Sequence, residues 1–169
     1  MRRELRAAAA VFALVAAGTC FAQLTDADPD WKEQEAPPPP ALKTERLIGL
    51  EVPGSLLNFG VDPDSVAVGS DGVVRYVVVA RSSSGVTNAM YEGLRCSTGE
   101  WKVYARHNPD AGWKQVKESE WKPISGNSQA RHSLVIARTG ACVGRGANGT
   151  ATQIVRDLRA PVDRRFYRQ

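Results

Sequence analysis

Few side chains in this sequence are of types that carry out chemistry. The histidines are His107 and His132. Either one, with Asp110 or Glu118 in reach, would make a general base. However, histidines at a turn and at a helix start are more often surface residues, and no catalytic residue is assigned. Two histidines do not complete a structural zinc site, which takes four ligands. Ser82 to Ser84 has no nucleophile elbow around it. Gly144-Arg145-Gly146-Ala147-Asn148-Gly149 matches the G-x-G-x-x-G of dinucleotide sites. That motif works only inside a βαβ unit, none follows, and a glycine loop is expected instead. Asn148-Gly149-Thr150 fits a glycosylation acceptor, which means little if the source is bacterial. The residues therefore point to no cofactor, no metal and no active site.

Binding residues are better represented. A row of exposed aromatics can stack on sugars or peptides. Trp101 alternates with Lys102 in a strand pattern and reads as core, whereas Trp113 and Trp121 lie near turns. With Arg75 and Arg81, these two tryptophans make the candidate binding surface. Trp31 stands alone in an acidic stretch and is expected to pack on the domain.

Those side chains need a frame. Val73 to Ser82 places Val74, Tyr76, Val78 and Ala80 on one face, and Val73, Arg75, Val77, Val79 and Arg81 on the other. The first face should be buried and the second, rimmed by arginines, half exposed. Ser83-Ser84-Gly85 turns the chain, Val86 to Cys96 returns, and Ser97-Thr98-Gly99 turns it again. Glu100 to His107 follows, with Trp101, Val103 and Ala105 alternating against Lys102, Tyr104 and Arg106. Connections this short allow only antiparallel neighbours. Shorter strands are expected at Leu56–Val61, Ser65–Val68 and Trp113–Val116, with an extended segment at Trp121–Ile124. Ala130 to Ala141 reads as a helix, and Thr150 to Leu158 as a second, short one capped by Thr150.

The start of the chain reads as an address. Arg2, Arg3 and Arg6 precede an apolar run from Ala7 to Ala17, and Cys20-Phe21-Ala22 ends in a small residue. Cleavage after Ala22 would release the protein. Lipidation at Cys20 is the alternative, but Thr19 spoils the lipoprotein box. The run is too short for a comfortable membrane span, so no integral membrane protein is expected. Removing three Arg and one Glu lowers the formal charge from +4 to +2, a weak argument for any nucleic-acid partner. Of the cysteines, Cys96 and Cys142 remain, and an even count in an exported chain suggests one disulfide, with two buried thiols as the alternative. The domain organisation that follows is a signal at 1–22, an acidic, Pro37–Pro40-bearing spacer at 23–43, one domain at 44–160 and a basic tail at 161–169.

The segments D-G-V-V-R-Y and Y-E-G-x-R-C, then W-K-P-I at Trp121–Ile124 and a helix ending in Cys142, resemble the CNP-one-like family of uncharacterised exported proteins of betaproteobacterial type. The resemblance runs from Trp31 to Cys142 and implies a Gram-negative periplasmic or envelope location, with no activity attached. The glycine-rich stretch and helix after Cys142 look like an addition to it. The V-D-P turn, the cysteine-ended strand, W-x-P-I and the cysteine-bearing helix are also similar to the surface-adhesin Protein E family. That similarity implies an antiparallel sheet with a helix fastened by a disulfide.

The expectation is one α+β domain: an antiparallel meander of five or six strands with a C-terminal helix fastened through Cys96 and Cys142. Its expected role is non-catalytic binding or scaffolding in the envelope. The partner would be another envelope protein or a cell-wall or surface component. An adhesin-like surface protein is the alternative, and a small periplasmic hydrolase with a histidine base a lesser one.

Overall fold

The computed structural model describes residues 28–160. The expected signal, Cys20 and the basic tail lie outside the described residues. The strands are β1 (Ile48–Leu50), β2 (Asn58–Val61), β3 (Ala67–Val68), β4 (Val73–Arg81), β5 (Thr87–Arg95), β6 (Glu100–Asn108), β7 (Gly112–Gln115), β8 (Lys122–Pro123), β9 (Cys142–Val143) and β10 (Gly146–Ala147); the helices are α1 (Arg131–Ile136) and α2 (Ala151–Arg159). The main sheet is antiparallel and runs β1-β2-β4-β5-β6-β7, with β3 beside β4 and β8 beside β6. This is the expected α+β architecture. β1 was not expected, because three residues next to Pro53-Gly54 are too short to show an alternation.

The framework is the β4–β5 hairpin, nine residue pairs in unbroken register from Val73↔Arg95 to Arg81↔Thr87. Val-rich, β-branched sequence favours this pleated surface. Gly85 takes a φ of 87° in the connecting turn, a conformation open to glycine and strained for other residues. One face of the sheet packs Val74, Tyr76, Val78, Leu94, Trp101 and Val103 against Ile136, Ala141, Ile154 and Leu158 from the helical side.

The helix expected over Ala130–Ala141 is α1 followed by a π-helical turn at Ala137–Ala141. Cys142 opens β9 just beyond it and is bonded to Cys96, which closes β5. The disulfide thus ties the end of the helical segment to the end of the hairpin, across a separation of 46 residues. Gly140 lets α2 approach closely: a Cβ there would stand 2.7 Å from Leu158 Cγ and 3.1 Å from the Ile154 carbonyl. Thr150 caps α2 by accepting a bond from the Gln153 amide.

Two expectations are corrected. The second face of β4 is not half exposed. Val73, Val77 and Val79 are buried, and so is Arg75 at 3% exposure; only Arg81 is open to solvent. What covers this face is the stretch expected to be a spacer. In addition, Trp101, Val103 and Ala105 do not share a face. Tyr91 pairs with Ala105 and Glu92 with Val103, which leaves Tyr104 as an extra residue. Such a bulge shifts the alternation by one, so Ala105 packs with Val77, Val79, Ala89 and Tyr91 on the other side.

Candidate functional site

From Trp31 to Lys43 the chain has no helix or strand, and Pro37 to Pro40 have no N–H with which to join a ladder. This strap is held to the sheet at separate points. The Trp31 indole donates to the Asp71 carbonyl at 2.8 Å, and its ring lies 3.6 Å from the Arg95 guanidinium carbon. The Gln34 amide donates to Asp71 Oδ2 at 3.0 Å, and the Gln34 carbonyl accepts from Arg75 Nη2 at 3.1 Å. Further along, Trp113 Nε1 donates to the Pro40 carbonyl at 2.8 Å. Lys43 meets Asp64 at 2.8 Å. Ala36, Leu42 and Leu47 supply apolar cover.

The centre of the strap is Glu33. Its carboxylate accepts from Lys102 Nζ (2.8 Å), Tyr104 OH (2.8 Å) and Trp121 Nε1 (3.0 Å). The bulge aims Tyr104 at this point, and Gly93 makes room for the ring: a Cβ on Gly93 would lie 2.6 Å from the Tyr104 hydroxyl. Burial works against the Glu33 carboxylate, yet the bonds from Lys102, Tyr104 and Trp121 outweigh it and hold its pKa below the usual value. Burial, and then the bond to Glu33, push Tyr104 well above the ordinary phenol range. Asp71 follows the same logic as Glu33. Burial opposes its charge, while Arg75 and the amides of Gln34 and Val73 more than compensate and lower its pKa. Beside these anchors the strap does not fill its seat. A cleft of about 300 Å³ opens among Glu33, Glu35, Pro37, Tyr104, Lys102 and Gln115.

On the opposite face the titratable groups are sealed. Glu92 is 0% and His132 4% exposed, and Ser133 and Tyr76 are equally enclosed. Tyr76 OH donates to Glu92 Oε2 at 3.1 Å and Ser133 Oγ donates to the same oxygen at 3.1 Å. His132 Nε2 lies 3.0 Å from both carboxylate oxygens. The imidazole is sandwiched, stacked on Phe59 at 4.9 Å and met edge-on by Trp101 at 6.0 Å. Every donor here converges on one carboxylate. A nucleophilic triad needs the hydroxyl bonded to the histidine instead, and Ser133 turns to Glu92. The geometry satisfies a buried acid. Burial, with Glu92 alongside, raises the Tyr76 phenol well above its ordinary range.

Against known proteins, a model of the CNP1-like family matches residues 26–159. The chain belongs to the CNP1-like family. No curated protein matches, and no solved structure matches. The family match extends over the glycine loop and α2, so these are part of the CNP1-like domain and not an addition after Cys142.

Within this CNP1-like chain, the candidate surface divides. Arg75 is spent on Asp71, with bonds of 3.1 and 2.7 Å to its two oxygens. Trp113 and Trp121 are half-buried, and each gives its N–H to the strap. Arg81 stands apart at the end of β4. The carboxylate that meets His132 is Glu92, not Asp110 or Glu118; His107 contacts Trp113 edge-on instead. Gly144 and Arg145 form the β9–β10 turn, Gly146 and Ala147 form β10, and Asn148 is buried just after it, donating to the Gly140 carbonyl and to Asp157. That burial removes it as a glycosylation acceptor. Among the described residues, no group of three His, Cys, Asp or Glu side chains is placed to hold a metal ion, and no helix is long and apolar enough to cross a membrane. Glu33, Asp71 and Glu92 were missed by sequence reasoning. Only Glu92 had a signal: an acid inside a strand, two residues before Leu94 on the buried face.

Proposed function

We propose that this CNP1-like protein is an exported, disulfide-braced module of the bacterial envelope that binds a partner and carries out no reaction of its own. One observation carries the reading. Among the described residues, the one cluster that brings a histidine, a carboxylate and a hydroxyl together, Glu92, His132 and Ser133, is enclosed and directed at itself, whereas the cleft that opens to solvent lies beneath the strap. A general base must reach the proton it abstracts, and these groups have no path to one. A disulfide between hairpin and helix suits an oxidising compartment. The cleft is lined by the charged Glu33, Glu35 and Lys102 and by the phenols of Tyr91 and Tyr104, and tyrosines are enriched at binding surfaces.

Two measurements test this. Fusion of the full chain to a phosphatase active only outside the cytoplasm should yield active fusion; an inactive fusion refutes export. Purified oxidised protein should sediment with envelope fragments or cell-wall sacculi, and Glu35→Lys in the cleft should weaken that sedimentation. Turnover of an envelope substrate by the intact protein, lost in a folded His132→Gln variant, would overturn the non-catalytic reading.

A further inference from the structure

The strap is bound to the sheet in the way a ligand would be. Five side-chain donors come from the sheet side, Arg75 Nη2, Lys102 Nζ, Tyr104 OH, Trp113 Nε1 and Trp121 Nε1, while Trp31 Nε1, the Gln34 amide and Lys43 Nζ donate the other way, to Asp71 and Asp64. For those five donors the strap supplies the acceptors, namely the Glu33 carboxylate and the carbonyls of Gln34 and Pro40. It adds no ladder to the sheet, and the cleft shows that it packs incompletely. Between strap and β1 sits Arg46, whose φ of 55° is the only positive value at a non-glycine among the described residues. That conformation is disfavoured for a residue with a Cβ, so the link to the sheet is strained where a hinge would lie. Lifting the strap would leave Lys102 without Glu33, Arg95 without the Trp31 ring, and Val77, Val79, Ala89 and Tyr91 uncovered.

We infer that the strap-side face is a groove for an extended, acidic, proline-containing peptide segment of another protein, and that residues 31–43 occupy it in cis until such a segment displaces them. The partner's chemistry follows from the face. An array of donors and cations around an apolar strip selects an acceptor-rich anionic chain with an aromatic residue, and prolines keep that chain extended and lower the ordering cost on binding. Occupation in cis raises the effective concentration of the strap, so a free peptide must compete against it. The inference rests on the binding-module reading and specifies its ligand.

The test uses the full oxidised chain and a fluorescein-labelled peptide with the sequence of residues 28–43, followed by anisotropy. The wild type should bind it weakly. A Trp31→Ala, Glu33→Ala variant, with its own strap loosened, should bind at least tenfold more tightly, and adding Lys102→Ala should reverse most of that gain. A double variant that keeps the sheet by circular dichroism but binds no better than wild type overturns the inference. So does equal binding of a peptide with Lys at the Glu33 and Glu35 positions. If the double variant does not fold, hydrogen exchange on the wild type decides. The Gln34 amide should exchange at least a hundredfold faster than the β4 amides, and equal protection means that the strap is part of the fold. Concentration-dependent dimers of the double variant would make a second copy's strap the occupant and overturn the claim of a foreign partner. Sedimentation with envelope fragments that survives while peptide binding fails removes this inference alone; loss of both removes the binding-module reading too.

Discussion

On its helical side the sheet meets Ile136, Ala141, Ile154 and Leu158, all nearly inaccessible, and the covering segment is tied down by the Cys96–Cys142 bond. On its other side an apolar strip of similar character, Val77, Val79, Ala89, Tyr91 and Ala105, is closed by a chain without secondary structure, held by a handful of side-chain donors. The first covering is mostly dry packing, proportional to apolar area and inseparable from global folding. The second depends on discrete polar contacts, each worth about 1 kcal/mol net, and so can open locally while the sheet persists. One sheet therefore has a permanent face and a conditional one.

The sharpest way to break this contrast is at Glu92. Glu92→Leu strands the donors of Tyr76, His132 and Ser133 in a sealed interior, and the expected loss is about 3–5 kcal/mol in denaturant unfolding. A loss no larger than that of a strap variant would mean that the helical face is as loose as the other. Replacing both cysteines by alanine should cost about 4 kcal/mol for a 46-residue separation, with the strap contacts unchanged in NMR spectra. Gly140→Ala forces Leu158 and the Ile154 carbonyl away from the π turn and should cost about 1–3 kcal/mol by thermal unfolding. Glu33→Gln should be milder, about 1 kcal/mol, with faster exchange confined to the strap.

Acid should act in the same direction as Glu33→Gln. Glu33 and Asp71 have native pKa values lowered from 4.5 and 3.8. A lowered carboxylate contributes stability that is complete above its unfolded pKa and fades as pH falls through the folded one. The strap should therefore hold at neutral pH and loosen below about pH 4, visible as a change in tryptophan fluorescence as Trp31 leaves Arg95. Fluorescence unchanged down to about pH 2 would show that these carboxylates do not hold the strap.

Legibility followed the same division. β4, β5 and β6 were readable to within a residue or two, because Val-Val-Arg-Tyr-Val-Val-Val is a local pattern. Trp31 was expected to pack and does, stacked against Arg95. The bulge at Tyr104 was not readable, since one extra residue leaves the local composition unchanged while moving Ala105 to the other face. Glu33 looked like one acid among several in a polar stretch. Its three partners lie 69, 71 and 88 residues away, and no spacing rule reaches so far.

The sequence by itself determined the antiparallel frame, the turns between its strands and the cap on α2. Alternation, glycine conformation and capping are properties of short segments. Only the tertiary structure decided that Arg75 is buried on Asp71, that Glu92 and not Asp110 or Glu118 meets His132, and that the proline-rich strap closes the second face. Each of these depends on which distant groups share a desolvated site, where a polar atom must find a partner or lose stability, and chain order does not specify those partners.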